Sequence, residues 1–481
     1  MTQCSTDAIK FKTLAKRSVV ADFSGGHITS DAGALLLDKV EQATGVLRRA
    51  AGCFTDHRNS DLIEHTVEDL IRQRVFALAL GYEDLNDHDE LSRDPLLAAV
   101  VGKTEPTGQG RRCGRDRDRP LAGKSTLNRL ELTAPDADAA SRYKKTVLDF
   151  EAMESLFVEV FLDAYAQRPE QIIVDLDATD DPLHGRQEGR FFHGYYKHYC
   201  YLPLYAFCGE HLLAATLRPA DIDASAGTVE LLEALVGQIR RRWPDTQIIV
   251  RADSGFAREA IMAWCEANAG VDYVLGLARN SRLVAEIADE LAEARSEWEQ
   301  TGQAARRFKD FTYRTLDSWS RTRRVVGKAE HLDKGANPRF VVTSLGPVDS
   351  AAWAPRALYE QTYCARGEME NRIKEQQLCL FADRTSTHWM RSNQIRLWLS
   401  SLAYVLVSGL RRLGLSGTSM ARSRCDTIRL RLLKIGAAVR VSVRRVWVSL
   451  ASGYPLQALF GYVCRRLEAV IRRQAFRPLR C

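Results

Sequence analysis

The chain has 481 residues, 45% apolar and 27% charged, a composition that reads as a soluble globular chain of about three domains with ample core. Its 68 basic and 61 acidic residues give a net charge of +7, and the surplus is local: residues 401–481 hold sixteen Arg and Lys against Asp426 and Glu468, which leaves −7 for the first 400. Eleven cysteines form no C-x-x-C pair, residues 1–18 lack an apolar signal core, and the longest apolar run, 397–410, is too short and too Ser-interrupted to span a bilayer. The expectation is an intracellular protein with reduced thiols and no membrane partner.

In chain order, residues 18–23 read as a short strand and the turn SGGHITSD opens a helix over 31–42, where Leu35, Leu36, Leu37 and Val40 recur at helical spacing. Helices over 65–80 and 97–101 complete a helical N-terminal region, 1–165, expected to contact DNA or a second copy of the chain. The Gly- and Arg-rich loop 102–124 contains two lysines in P-loop-like settings, Gly102-Lys103-Thr104 and Gly123-Lys124-Ser125. The first glycine of a true motif would fall at Leu97 or Asp118, so no nucleotide cofactor is expected.

From 166 the pattern changes. Strands at 171–177, 195–208 and 211–217, a helix at 226–242, a strand at 247–252, a helix at 258–268 and a strand at 272–277 give the order β-β-β-α-β-α-β. That is an α/β, ribonuclease-H-like mixed sheet with flanking helices, its first part spanning 166–278. Residues 279–350, with a charged helix at 284–298 and strands at 307–315, 323–326 and 339–343, read as a β-rich insertion. The last helices of the core follow at 351–400. A basic C-terminal region, 401–481, has a strand at 439–448 and a helix at 461–474, and its charge suits phosphate better than simple solvation.

Two acids stand at strand ends, Asp177 in VDLDAT and Asp253 in RADSGF, and a third, Glu370, lies in YCARGEMENRIKEQQ. If 363–377 is one α-helix, then Tyr363, Arg366, Glu370 and Gln377 share a face. Three carboxylates brought together by this strand order would hold Mg²⁺, two ions in the two-metal arrangement, with Mn²⁺ as a substitute. Asp175 competes with Asp177, because residues i and i+2 of a strand face the same side, and Asp180 and Asp181 lie nearby. His184, His193 and His198 match no zinc spacing and sit in an aromatic strand that reads as packing. Trp319, in WSRTRRVV, is either a core residue or a platform for an unpaired base among arginines.

With these residues in view, the chain resembles the DDE transposases of bacterial insertion sequences. The resemblance runs through D-A-T at 177–179, D-S-G-F at 253–256, and Tyr363, Arg366 and Glu370 in the Tyr-Arg-Glu spacing. SGGHITSDAGALLL, HGYYKHYCYLPLY and YCARGEMENRIKEQQ extend the likeness, over nearly the whole chain, to the 1380 group of insertion-sequence transposases. It implies that Asp177, Asp253 and Glu370 are the catalytic, metal-binding triad, with Asp177 preferred over Asp175, and that Tyr363 and Arg366 position DNA phosphate. It further implies a hairpin intermediate, double-stranded DNA partners in the form of terminal inverted repeats and target, a homodimer in the synaptic complex, and a bacterial, cytoplasmic, nucleoid-associated protein. The pattern's lysine is replaced by Gln377, which donates a hydrogen bond without charge, and Lys374 is the substitute cation. The rival expectations are a non-transposing nuclease of the same fold and a non-catalytic DNA-binding protein descended from a transposase.

Overall fold

The computed structural model describes residues 8–475, and its contacts divide the chain into two compact units, 150–401 and a second made of 1–149 together with 402–481. The first unit holds a nine-stranded mixed sheet. Its elements are α1 (Phe150–Asp163), β1 (Gln171–Ala178), β2 (Leu204–Cys208), β3 (His211–Thr216), α2 (Thr228–Arg242), β4 (Gln247–Ala252), α3 (Glu259–Ala267), β5 (Val271–Leu277), β6 (Ala305–Tyr313), β7 (Arg323–Leu332), β8 (Arg339–Thr343) and α4 (Gly367–Lys374). The spatial order is β3-β2-β1-β4-β5-β8-β7-β6, with Gly335–Ala336 added beside β7. Strands β1, β4 and β5 run parallel and the other neighbours antiparallel. The first five in the order 3-2-1-4-5 are the ribonuclease-H-like arrangement, and the strands of 305–343 continue the same sheet beyond β5.

The alternation of side chains along each strand sorts this sheet into two faces. Ile172, Val174 and Leu176 of β1, with Ile248 and Val250 of β4, pack against apolar residues of α1, α2 and α3, such as Phe161, Ile239 and Met262. On the opposite face Ile249, Val274, Val326 and Val341 meet Trp353, Leu358 and Tyr359 of the segment that leads to α4. Ile173 packs on that second face, and the period of two therefore puts Asp175 and Asp177 there as well.

The expected strand 195–208 breaks in two, because Pro203 has no N–H to give a ladder. His198–Tyr201 leaves the main sheet and pairs with Asp181–Pro182 and Phe191–His193 in a separate three-stranded sheet. The continuous helix expected over 363–377 is also interrupted. Leu358–Tyr363 and Glu375–Cys379 are π-helical and Cys364–Arg366 is a 3₁₀ turn, so only α4 keeps α-helical spacing.

The second unit joins the two ends of the chain. Helices Ala34–Thr44, Val46–Gly52, Val67–Leu80, Pro95–Val101 and Lys124–Glu131 share it with helix Gln457–Ala475. Thr66 and Asp69 start the third of these with a reciprocal capping box. The SGGHITSD motif is structural: His27–Thr29 pairs with Ala437–Val441, which turns back as Val446–Leu450, where one strand was expected. Asp31 accepts the Tyr82 hydroxyl at 2.7 Å and pairs with Lys434 at 2.6 Å. Gly33 is required because a Cβ there would come within 2.2 Å of the Leu433 backbone. Both P-loop look-alikes are tied down locally, Lys103 by the Glu64 carbonyl and Asp69, and Lys124 by Asn86 and Asp89. Among the described residues no helix is long and apolar enough to cross a membrane.

Candidate active site

Asp177 and Asp253 arrive at one place because β1 and β4 are parallel and in register. Arg251 pairs with Asp175 and Ala252 with Leu176, so Asp253, one residue further, comes alongside Asp177. Asp253 is fixed as the cap of the turn Ser254–Phe256, accepting the Gly255 N–H at 2.8 Å. Asp177 accepts the Ala178 N–H at 3.0 Å. Glu370 comes from α4, on the segment that covers this face. Arg366 connects the set, its guanidinium lying 3.7 Å from Asp177 and 2.8 Å from Glu370.

Electrostatics follow from that geometry. Asp177 is raised to about 7, chiefly by burial; Arg366 opposes the rise, and the carboxylates of Asp253 and Glu370 add to it. Burial works against the charge on Arg366, but Asp177, Tyr363, Glu370 and Asp253 outweigh it and hold the guanidinium above its ordinary value. Tyr363 is raised by burial, with Asp253 adding and Arg366 opposing. Its hydroxyl packs against Gly276 of β5, where a Cβ would stand 2.4 Å from that oxygen and 2.9 Å from the Ser254 nitrogen.

Carboxylate oxygens are the donors a hard divalent cation takes, and three carboxylates against one guanidinium leave an unbalanced charge that such a cation would neutralise. In donor type and charge the set fits magnesium. The side chains are not closed around an ion: among the described residues no three His, Cys, Asp or Glu groups are gathered closely enough to hold one.

Asp175 is engaged elsewhere. Arg251 grips it with two bonds, at 2.5 and 2.7 Å, and with its remaining nitrogen holds the Thr362 carbonyl just before Tyr363. This buried arginine was not singled out from the sequence, although its position was readable: Arg251 and Asp253 repeat on β4 the same-face spacing of Asp175 and Asp177 on β1. Asp180 is bound by His198 at 2.8 Å, and its carbonyl accepts Gln377 at 2.9 Å. Gln377 thus faces the loop after Asp177, from within the π-turn at 375–379. Lys374 is exposed one turn beyond Glu370.

Trp319, expected as a base-stacking platform or a core residue, is a core residue at 4% exposure. It packs edge-on against Tyr313, and the arginines around it are committed: Arg321 and Arg323 to Glu266, Arg323 also to Glu259, Arg324 to Asp310, and Arg314 to the Trp319 carbonyl. His184 and His193, with His198, form no metal group.

A solved structure similar to this chain is the cryo-EM structure of a piggyBac transposase synaptic complex with hairpin DNA, at 11% identity and a TM-score of 0.39, covering 94% of this chain and 83% of that one. No curated protein sequence matches the chain. The family model described as transposase DDE domain, group 1, matches residues 11–471. With that match over nearly its whole length, the chain belongs to the DDE transposase family, whose enzymes cut DNA and transfer its strands.

Proposed function

We propose that this transposase acts as the insertion sequences of the 1380 group imply: as a homodimer it binds terminal inverted repeats, cleaves each end to free a 3′-hydroxyl, and joins that hydroxyl to target DNA. The observation that supports the reading is Arg366 lying between Asp177 and Glu370, with Asp253 on the parallel strand next to that of Asp177. Asp177, Asp253 and Glu370 would hold Mg²⁺ or Mn²⁺, which when bound supplies Lewis-acid activation of the attacking oxygen and stabilisation of the leaving one. Asp177, whose carboxyl burial raises, would hold the ion as its carboxylate. Arg366, charged and part-buried, holds a phosphate oxygen near the cut, and Tyr363 fixes the approach through its hydroxyl. Lys374, exposed on α4, supplies the cation that Gln377 lacks. At the other end of the chain, Arg440, Arg444 and Arg445 project from the exposed hairpin of 437–450 and contact DNA phosphates.

Strand transfer in vitro tests this. Purified protein, a labelled duplex carrying the element's own end, a target plasmid and Mg²⁺ should give joined product, and Glu370→Gln should lose it by at least about a thousandfold. Glu370 is partly exposed and its pair with Arg366 is an i, i+4 contact worth only about 0.3–0.5 kcal/mol, so the variant should remain folded. Cleavage without joining would replace the reading with a nuclease, and binding with neither would leave a DNA-binding protein.

A further inference from the structure

The three-stranded sheet that follows Asp177 ends in a hairpin whose aromatic side chains are left in solvent. Tyr195 is 83% exposed and Phe192 57%. They belong to one short motif, HGYYKHY and the two phenylalanines before it, and their arrangement is ordered. Phe192 is registered opposite Tyr199 with ring centroids 5.6 Å apart, and the Arg190 guanidinium lies 4.1 Å over the Tyr199 ring. Lys197 stands in the turn with a left-handed backbone, φ 62°, and is exposed.

The other side of the hairpin is anchored to the catalytic face. Tyr196 packs on His193 and His198, His198 binds Asp180, and Asp180 lies three residues beyond Asp177. Tyr196 also packs with Ala178, the residue after Asp177, against Cys200, Leu202 and Ala220. One face of the hairpin thus reads the site while the other presents aromatic rings. Over 186–198 the charges are Arg186, Arg190 and Lys197 against Glu188. Open rings interleaved with cations complement a polyanion whose bases are unpaired, since every base has a face to stack and a phosphate beside it.

We propose that this hairpin receives unpaired bases of the DNA strand next to the scissile phosphate, with Tyr195 and Phe192 as stacking platforms and Arg190 and Lys197 on the backbone. The proposal rests on the transposase reading above. It is tested by fluorescence anisotropy in EDTA with two labelled probes of the same sequence, a fully paired duplex and a duplex opened at one end into six unpaired nucleotides carrying 2-aminopurine. The intact protein should bind the opened probe more tightly and quench the 2-aminopurine. Phe192→Ala/Tyr195→Ala should lose at least about fivefold on the opened probe, relieve the quenching, and change duplex affinity less than twofold. Tyr195→Trp, which keeps a larger ring, should retain the preference and shows that loss is not misfolding. Equal preference in the alanine variant overturns the proposal, as does a variant whose DNA binding is intact but whose self-association in sedimentation is lost, which would make this face a contact between copies. Wild-type protein that binds neither probe would overturn the transposase reading itself.

Discussion

Replacing Gly276 with alanine asks how tightly the Asp253 turn is held against β5. The new Cβ would stand 2.9 Å from the Ser254 nitrogen, 3.2 Å from the Asp253 carbonyl carbon and 2.4 Å from the Tyr363 hydroxyl. The hydroxyl is the end of a side chain and yields readily. The backbone does not. Restoring an ordinary contact of about 3.5 Å moves Ser254, and Asp253 with it, by roughly half an ångström. Overpacking of this kind costs about 1–3 kcal/mol, and a ligand displaced on that scale loses on the order of ten- to a hundredfold in rate. Urea unfolding and a nicking assay on the element's end measure the two effects separately. Adding Tyr363→Phe removes only the hydroxyl contact, so the double variant should regain part of the stability and little of the activity. A Gly276→Ala protein within about 0.5 kcal/mol of the parent and fully active would refute the reasoning. A fully active double variant would refute both the displacement of Asp253 and the role given to the Tyr363 hydroxyl.

Divalent-ion binding should depend on pH through Asp177. With that carboxyl at about 7, its ionised fraction rises from about one in eleven at pH 6 to about ten in eleven at pH 8, so apparent Mn²⁺ affinity by calorimetry should rise about tenfold; a flat profile would remove Asp177 from the ligand set. Arg251→Met leaves Asp175 buried without its partner and should cost about 3–5 kcal/mol in urea unfolding, most of it recovered when Asp175→Leu is added. If the double variant is no better than the single, the arginine's hold on Thr362 is the larger effect. Arg440→Ala/Arg444→Ala/Arg445→Ala should lower the slope of log K against log salt for duplex binding by about 2–3, and an unchanged slope would show that these arginines do not meet phosphate.

Much of the catalytic sheet was legible in the sequence because its strands are short, apolar and bounded by turns, and because Asp177 and Asp253 interrupt that apolar pattern at strand ends. Arg251 was missed for the converse reason: a charge inside a strand looks like an edge residue until its registered partner, Asp175, is known. The π-turns around α4 leave no mark in hydrophobic spacing, so the bond from Gln377 to the Asp180 carbonyl was not foreseen. Arginine beside tryptophan left a DNA surface open as one of two readings at Trp319, where the arginines form a network of ion pairs closed by Glu259, Glu266 and Asp310. The joining of both chain ends in one unit depends on pairings such as Ile28 with Ala438, and composition carries no trace of contacts so far apart.

That pairing sets a schedule for the nascent chain. At about 5–20 residues per second a ribosome takes roughly 20–80 s to get from Ile28 to Ala438, and for that interval the strand at 27–29 waits without its neighbour. The segment carrying Asp177, Asp253 and Glu370 emerges earlier, so the sheet that bears them has time to form first. A message cut short after residue 401 would therefore end inside the helix Met390–Gly409 and leave the strand at 27–29 without the neighbour it pairs with.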